Sequence, residues 1–286
     1  MGAAIEEKEN KLRFADLKKR LITSSFVIGA IALILFLSEY LLVKIVVLLL
    51  LALMSAVAMM EFTHLLEKKG VVLSKRVLFA FAALLTLSFA LPLQGAPLIV
   101  AALLFFTLFC LQMKKINGSI ARISTSFFGL LYIAFPLGLL FRILYPQGGL
   151  GPLGDGAFWL LYLLAVTKIT DIAAYFGGKT FGKRKIASNV SPGKTVEGGV
   201  IGLCAAVALS VGFTFFNDSF PLISAIVLGL LIGAFGILGD LAESLFKRDA
   251  KVKDSNRLPG LGGILDMVDA LLFTTPFFYI VMGYIT

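Results

Sequence analysis

Nine apolar stretches separated by polar segments constrain the fold of this chain more than any other feature. A membrane-spanning helix needs about 20 predominantly apolar residues, with a range of roughly 17–25. The stretches of that length are Leu21–Leu37, Leu41–Met60, Val77–Leu93, Pro97–Met113, Phe127–Tyr145, Ala157–Tyr175, Val200–Phe216, Leu222–Leu238 and Ile264–Ile285. The composition agrees, because 59% of the residues are apolar and 15% are charged, against about 45–50% and 25% in soluble domains. We therefore predict an all-α polytopic integral membrane protein with about nine transmembrane helices.

The composition also excludes several classes of protein. A disordered chain needs a low content of apolar residues, which this chain does not have. A single His and two Cys exclude a His/Cys zinc cluster and a disulfide scaffold. The first apolar stretch follows three basic residues, as in a signal peptide, but it has no small-x-small cleavage site and a second stretch follows almost at once. We therefore predict that it is an uncleaved helix.

The basic residues predict the orientation of these helices. Of the 26 Lys and Arg residues, 23 lie in the N-terminal segment or in the loops after stretches two, four, six and eight. The loops after stretches one, three, five and seven have none. Because basic residues are enriched in cytoplasmic loops, we predict a cytoplasmic N-terminus and a C-terminus outside.

The chain divides into three regions on this pattern. Residues 1–20 form a basic cytoplasmic segment, residues 21–145 hold the first five stretches, and residues 146–286 hold the last four. The last region contains two long polar segments, Gly177–Gly199 and Gly239–Gly263, which we predict to be cytoplasmic loops. We expect the catalytic residues in this region.

The segment Ser191–Thr195 has the residue types of a phosphate-binding turn. Backbone amides of a Gly-containing turn at a helix start, with Lys, Ser and Thr beside them, form a good phosphate cradle. The segment resembles the end of a P-loop, but Ser188 stands where that pattern has its first Gly, and no strand is predicted before it. The sequence therefore predicts anion binding here without a Walker A motif.

Four carboxylates lie near the predicted cytoplasmic ends of three different stretches. They are Asp171, Asp240, Asp266 and Asp269. Asp240 follows four glycines, at 229, 233, 236 and 239, that share one helix face and predict close helix packing. Ionisable residues in membrane segments usually mark function. The structural alternative is that these carboxylates pair with Lys or Arg at the interface.

The residues around these carboxylates favour metal and phosphate chemistry. The single His, His64, lies in another loop, and both Cys residues fall inside apolar stretches. Mg²⁺ binds one or two carboxylates, several waters and substrate phosphate oxygens. Two such ions can stabilise the attacking and leaving oxygens of a phosphoryl displacement. The sequence therefore predicts a magnesium- and phosphate-binding site on the cytoplasmic side.

Two motifs in the last 40% or so of the chain resemble those of bacterial phosphatidate cytidylyltransferases, also called CDP-diacylglycerol synthases. The motif in GDLAESLFKRDAKVKDSNRLPGLGGILDMVDA matches the family pattern at Ser244, Lys247, Arg248, Lys253, Asp254, Pro259, Gly260, Gly262, Gly263, Asp266 and Asp269. The motif in TDIAAYFGGKTFGKRKIASNVSPGKTVEGG matches at Asp171, Gly182, Ser191, Pro192, Gly193, Lys194, Thr195 and Glu197. The chain departs from the pattern at Leu261, where the family usually has His, and at Met267, where it often has Arg or Asp.

The resemblance implies an enzyme that transfers a cytidylyl group from CTP to phosphatidate, giving CDP-diacylglycerol and pyrophosphate in phospholipid biosynthesis. It implies a homodimer in the inner membrane that requires Mg²⁺ at two metal sites facing the cytoplasm. The implied metal ligands are Asp171, Asp240, Asp266 and Asp269. The implied catalytic residues are Asp240, Asp266, Asp269, Lys247 and Lys253, and the implied substrate contacts are Ser191, Lys194, Thr195, Glu197, Ser244, Arg248 and Asp254. In an alternative arrangement, Lys253 and Asp254 pair with each other.

Two other kinds of function are consistent with these residues. A related CTP-dependent lipid kinase, or a cytidylyltransferase for ether lipids, would have the same phosphate site and a different lipid substrate. A cation transporter could use the same carboxylates, but it predicts charged groups through the membrane. The outer halves of the apolar stretches hold almost none, which favours the enzyme.

Overall fold

The computed structural model describes residues 28–93, 95–113, 116–146, 156–252 and 263–285, and these residues are nearly all helical. The helices are α1 (28–36), α2 (Leu41–Lys68), α3 (Lys75–Ser88), α4 (Ala96–Gln112), α5 (Ser119–Gly129), α6 (Phe135–Leu144), α7 (Gly156–Phe181), α8 (Val196–Phe213), α9 (Leu222–Asp249) and α10 (Ile264–Ile285). A π-helical turn, Leu130–Ala134, makes α5 and α6 one continuous rod, and a 3₁₀ turn, Thr214–Phe216, extends α8. The predicted membrane-protein class is confirmed at this level.

Six helical segments in the described part of the chain are long and apolar enough to cross a membrane. They are Leu41–Lys68, Ser119–Leu144, Gly156–Phe181, Val196–Phe216, Leu222–Asp249 and Ile264–Met282. Helices α3 and α4 are shorter, with 14 and 17 residues. The predicted first stretch lies partly outside the described residues. The basic segment 1–20 lies entirely outside them. The count of nine transmembrane helices therefore stays a prediction.

The segment Gly177–Gly199 is not a simple loop, and the protein is not purely α-helical. Strand β1 (Lys185–Ala187) pairs antiparallel with β2 (Ser191–Thr195), with Lys185 opposite Thr195 and Ala187 opposite Ser191. The two strands form a hairpin between α7 and α8. The prediction of a turn over Ser191–Thr195 is therefore wrong, because these residues are extended and their backbone is paired with a neighbouring strand.

The helices also extend further than the apolar stretches do. Helix α7 continues to Phe181, and α9 continues to Asp249, which is nine residues beyond Asp240. The segment Gly239–Gly263 is therefore a helix over its first eleven residues and not a loop there. The physical reason is that Leu, Glu, Lys and Arg are good helix formers, so the change to charged residues ends the apolar stretch without ending the helix.

The C-terminal helices pack closely around one aromatic core. Helix α7 packs against α8, and α9 packs against both α8 and α10. Between them, the ring of Trp159 lies 5.2 Å from that of Phe220 and 6.0 Å from that of Phe278, measured between ring centroids. This packing brings the end of α7, the start of α8, the last third of α9 and the start of α10 to the same end of the bundle.

Candidate active site

The hairpin leads directly into helix α8, and its last residue caps that helix. Thr195 is buried, and its Oγ1 accepts a hydrogen bond from the backbone N–H of Gly198 at 3.2 Å. A hydroxyl at this position satisfies one of the backbone donors that a helix leaves unpaired at its N-terminus. Lys194 directly precedes this capping residue, near a helix N-terminus where the helix dipole favours an anion, and Ser191 lies at the other end of β2.

Glycines allow α7 and α8 to approach each other behind the hairpin. A Cβ atom at Gly198 would lie 2.6 Å from the carbonyl oxygen of Ala174 and 2.9 Å from the Cα of Gly178. A Cβ atom at Gly239 on α9 would likewise lie 2.6 Å from the carbonyl oxygen of Asp269 on α10. The predicted glycine face of α9 is confirmed as a packing face, and residues 229, 233, 236 and 239 are all buried.

A cavity of about 530 Å³ lies between the hairpin, α7 and α9. Asp171, Asp240, Ser191, Lys194 and Thr195, all singled out by the sequence, line this cavity. The Nζ of Lys194 lies 2.6 Å from a carboxylate oxygen of Asp240. Sequence positions that are far apart thus meet in one polar cavity.

Lys168 and Asp269 add to the electrostatics of this cavity, which Lys179 and Lys185 also line. The Nζ of Lys168 lies 3.6 Å from a carboxylate oxygen of Asp171, one helical turn away on α7. Asp269, on α10, lies within electrostatic reach of Asp240, Asp171 and Lys168. Three of the four predicted metal ligands therefore interact electrostatically with one another. Lys168 and Lys194 partly balance their negative charge.

The fourth predicted ligand, Asp266, belongs to an adjoining ion-pair network. Its Oδ1 accepts a hydrogen bond at 3.0 Å from the Nζ of Lys247, which also pairs with the fully buried Glu243. Its Oδ2 accepts a hydrogen bond from the N–H of Gly263 at 2.9 Å. Both oxygens of Asp266 are thus engaged, and Lys247 has only 14% of its side chain exposed.

Glu61 is a residue of this region that the sequence analysis missed. It is buried on α2, and its two carboxylate oxygens accept hydrogen bonds from the N–H groups of Ile264 at 3.1 Å and Leu265 at 2.9 Å. Together with Asp266 it satisfies three backbone donors at the start of α10. A Glu directly after the second apolar stretch was the available signal, since an ionisable residue at the end of a membrane segment needs a partner.

Three predicted substrate contacts have other partners or surroundings. The carboxylate of Glu197 accepts hydrogen bonds from the N–H groups of Lys183 at 2.9 Å and Arg184 at 3.1 Å, so it anchors the start of the hairpin. Arg248 is exposed, and its Nε donates to the carbonyl of Val190 in the hairpin turn at 3.1 Å. Ser244 is half-buried on α9.

Several predicted site residues lie outside the described residues. These are Lys253, Asp254, Pro259, Gly260, Leu261 and Gly262. The predicted pairing of Lys253 with Asp254 and the predicted role of the turn around Leu261 therefore stay predictions.

The carboxylates suit a metal ion that takes most of its ligands from water and substrate. Within the described ranges, no three His, Cys, Asp or Glu side chains come together closely enough to form a complete metal site. Mg²⁺ needs only one or two protein carboxylates beside waters and phosphate oxygens. Asp171 and Asp240 line the cavity, and Asp269 interacts electrostatically with both. The donor set therefore fits Mg²⁺, and the two lysines beside it suit phosphate.

Comparison with known proteins gives a consistent result along most of the chain. The model of the cytidylyltransferase family matches residues 18–285. A phosphatidate cytidylyltransferase of Chlamydia pneumoniae is 40% identical over 173 residues, which are 58% of this chain and 56% of that protein. One of Synechocystis is 35% identical over 254 residues, 80% of this chain and 85% of the relative. One of Bacillus subtilis is 44% identical over 130 residues, 45% and 48% of the two chains. The matched part thus spans only about half the length of some of these relatives.

Proposed function

The chain belongs to the cytidylyltransferase family, and we propose that it transfers a cytidylyl group from CTP to phosphatidate in a membrane. In this reaction a phosphate oxygen of the lipid attacks the α-phosphorus of CTP. A new P–O bond forms while the bond from the α-phosphorus to the bridging oxygen breaks, and pyrophosphate leaves. The products are CDP-diacylglycerol and pyrophosphate. Relatives along both halves of the chain are named phosphatidate cytidylyltransferase, which supports this substrate pair.

The observation that carries the proposal is the ion pair between Lys194 and Asp240 inside the polar cavity. An ammonium group and a carboxylate at 2.6 Å neutralise each other. A triphosphate is a stronger partner for the ammonium group because it carries several negative charges. We propose that CTP draws Lys194 away from Asp240, whose carboxylate would then be able to hold a metal ion.

The start of α8 provides the rest of the phosphate site. Ser191 and Thr195 line the cavity on either side of Lys194, and α8 begins directly after them. Hydroxyl donors and a helix N-terminus both favour the phosphate groups of a nucleotide. In this proposal Lys194 stabilises negative charge on the leaving pyrophosphate, which is the charge that grows in the transition state.

Asp171, Asp240 and Asp269 would be shared between two Mg²⁺ sites in this region, so that each ion would take one or two of these carboxylates. When bound, the metal supplies positive charge at the phosphate oxygens and fixes their orientation. Lys247 holds Asp266 through an ion pair. We therefore propose Lys247 as a positioning residue for Asp266, and Asp266 as a ligand that can join the site by releasing one of its two partners.

The walls of the cavity suit a lipid headgroup next to a nucleotide. Tyr175, Ile186 and Ile237 line it together with the charged residues, so an apolar side adjoins the polar one. Tyr175 is 64% exposed at the helix surface. We propose that phosphatidate enters sideways between helices with its phosphate reaching the carboxylates, and that Arg248 and Lys253 contribute positive charge there.

The setting of the site is part of the same proposal. The distribution of basic residues supports nine transmembrane helices, a cytoplasmic N-terminus and a site that faces the cytoplasm from the inner membrane. The homodimer is proposed from the resemblance to the family. Cysteine labelling at Ser188, in the hairpin turn, tests the orientation, since we expect reaction with an impermeant reagent only from the cytoplasmic side.

Release of pyrophosphate from CTP tests the reaction. We expect release by the full chain in detergent micelles to require both phosphatidate and Mg²⁺, with CDP-diacylglycerol formed in equal amount. A panel with diacylglycerol, a polyprenol and an ether-linked phosphatidate separates the related lipid enzymes. Formation of CDP and a phosphorylated lipid, with no pyrophosphate, would show a lipid kinase and overturn the proposal. Cation flux in liposomes without nucleotide turnover would show a transporter.

A further inference from the structure

A second large cavity lies away from the candidate active site, among the helices of the N-terminal half. Its volume is about 910 Å³, and its walls come from α3, α4, the α5–α6 rod and α10. Phe89, Leu98, Leu131 and Phe135 are among its apolar lining residues. Cavities that bind small molecules typically measure about 300–1,000 Å³ and are mostly apolar with few polar groups. This cavity has the size and the lining of a ligand site.

The cavity opens on the apolar surface of the helices. Leu98 and Leu131 line it and yet have 73% and 45% of their surface exposed. The surrounding surface consists of membrane-type helices, on which lipid chains are the natural neighbours. The occupant best suited to this opening is therefore an acyl chain.

Position along α10 separates this cavity from the carboxylates. Tyr279 lines the cavity, whereas Asp266 and Asp269 lie near the opposite end of the same helix. At a rise of about 1.5 Å per residue, the 13 residues from Asp266 to Tyr279 span roughly 20 Å. The cavity is therefore a separate site, and it lies toward the other side of the membrane.

Arg142 is the one charged residue among the described residues that line this cavity. Its Nη2 donates to the carbonyl oxygen of Leu91 at 3.2 Å, and no carboxylate within the described ranges forms an ion pair with it. A guanidinium group has five N–H donors in a fork that matches a phosphate or carboxylate group. Within the described part of the chain, this one bond to a carbonyl leaves most of these donors, and the positive charge, for another partner.

We propose that this cavity binds an anionic phospholipid, with one acyl chain between α3, α4 and α10 and its phosphate on the guanidinium group of Arg142. The apolar lining matches the chain, and the arginine at the edge matches the charge of the headgroup. A chain in the cavity would fill the space between the N-terminal helices and α10. The proposal rests on this cavity alone and does not depend on the reaction at the other site.

Native mass spectrometry of the full chain tests the proposal. The probes are dioleoylphosphatidylglycerol, which is anionic, and dioleoylphosphatidylcholine, which has no net charge. We expect one tightly held phosphatidylglycerol per chain that phosphatidylcholine does not replace. Arg142→Gln keeps a donor for Leu91 but removes the charge, and we expect occupancy to fall about tenfold because a hydrogen bond to a charged group is lost. Arg142→Lys should retain the preference for the anionic lipid.

Two further variants provide a control and a second, independent test of the proposal. Lys44→Gln removes a cation that lies 5.1 Å from the ring centroid of Tyr145 and outside the cavity, and it should leave occupancy unchanged. Ala101→Phe adds bulk in the lining and should reduce occupancy with Arg142 intact. Equal binding of both lipids, or wild-type occupancy in Arg142→Gln, would overturn the proposal. Undiminished occupancy in Ala101→Phe would also overturn it, and this variant carries the test if Arg142→Gln does not fold.

Discussion

Both halves of this protein contain aromatic rings packed between helices, but their glycines lie against different groups. Gly129 and Gly138 in the N-terminal half lie against phenylalanine rings, whereas Gly198 and Gly239 in the C-terminal half lie against backbone atoms. The cavities of the two halves also differ. The N-terminal half borders an apolar cavity with one arginine among its described lining residues, and the C-terminal half borders a cavity lined with opposite charges.

The comparison shows how a chemical site can be built between membrane helices. Side chains from different helices can meet only where the helices approach closely, and small residues at the interface permit this approach. Asp240 comes directly after the glycine face of α9, and Asp269 lies at the contact that Gly239 makes. The cavity beside the N-terminal helices has room for a chain of lipid dimensions, and its described lining is apolar apart from Arg142.

The largest effect should come from the charge of the C-terminal cavity. Asp240→Asn keeps the shape of the side chain and removes its charge, so it releases Lys194 and weakens the metal site. We expect turnover to fall more than about 100-fold, because partners of metal ligands already contribute 10–100-fold. Pyrophosphate release at saturating CTP and phosphatidate measures this effect, and the midpoint of thermal unfolding should change little.

Asp249→Asn is the matched control for this prediction. Asp249 lies on the same helix, pairs with Lys69 at the surface and has 63% of its side chain exposed. We expect normal turnover, since exposed ion pairs contribute little. Equal losses in both variants would mean that α9 needs its acidic residues for folding and not for a site.

The second prediction breaks the glycine contact between α7 and α8. Gly198→Ala places a methyl group 2.6 Å from a backbone oxygen of α7, so one helix must move. We expect the free energy of unfolding to fall by about 1–3 kcal/mol, as for other overpacked sites. Thermal unfolding in detergent micelles measures the change, and CTP binding should weaken because α8 carries the hairpin.

A second glycine of α8 provides the control. Gly212 has no atom within 4 Å of a Cβ at its position. We expect Gly212→Ala to leave stability unchanged or to raise it by up to about 1 kcal/mol, because Ala is the better helix former. Destabilisation of similar size in both variants would show that α8 tolerates no side chain at glycine positions, whether or not a neighbour is close.

Sequence reasoning found most of the C-terminal cavity because charged residues are rare in apolar stretches. Asp171, Lys194 and Asp240 stand out in the sequence, and they meet in one cavity. The hairpin escaped prediction because Ser191, Pro192 and Gly193 are typical of turns, whereas pairing with β1 extends them. The sequence also did not predict that Asp266 lies in a different ion-pair network from Asp240. The spacing of residues along α10 does not show which neighbouring helix supplies the lysine that pairs with Asp266.

The third prediction separates the nucleotide from the lipid within the cavity. Lys194→Ala should raise the KM for CTP by about tenfold, as expected for a lost charge-assisted hydrogen bond. The KM for phosphatidate should change much less. Lys183→Ala is the control, because this lysine is exposed at the stem of the hairpin and does not line the cavity. An effect on phosphatidate alone would assign Lys194 to the lipid.

The smallest effect should come from replacing Glu61, a buried acid of the N-terminal half whose carboxylate contacts the C-terminal half. Glu61→Gln replaces two carboxylate oxygens with one amide oxygen, so one of the N–H groups of Ile264 and Leu265 loses its acceptor. The negative charge at the N-terminus of α10 is lost as well. We expect the free energy of unfolding to fall by about 1 kcal/mol. Turnover should fall a few-fold, because α10 carries Asp266 and Asp269.

Glu67→Gln, on the same helix, tests whether this effect depends on contact with α10. Glu67 is partly exposed and pairs with Lys75 at 2.7 Å within the N-terminal half. Its loss should leave turnover unchanged, because no catalytic helix depends on that pair. If Glu61→Gln retains full turnover and stability, the N-terminal helices do not position α10 through this carboxylate. If Glu67→Gln matches it in both measurements, general loss of charge on α2 explains the effect. A turnover defect confined to Glu61→Gln would show that the N-terminal half orients the C-terminal half through one buried carboxylate.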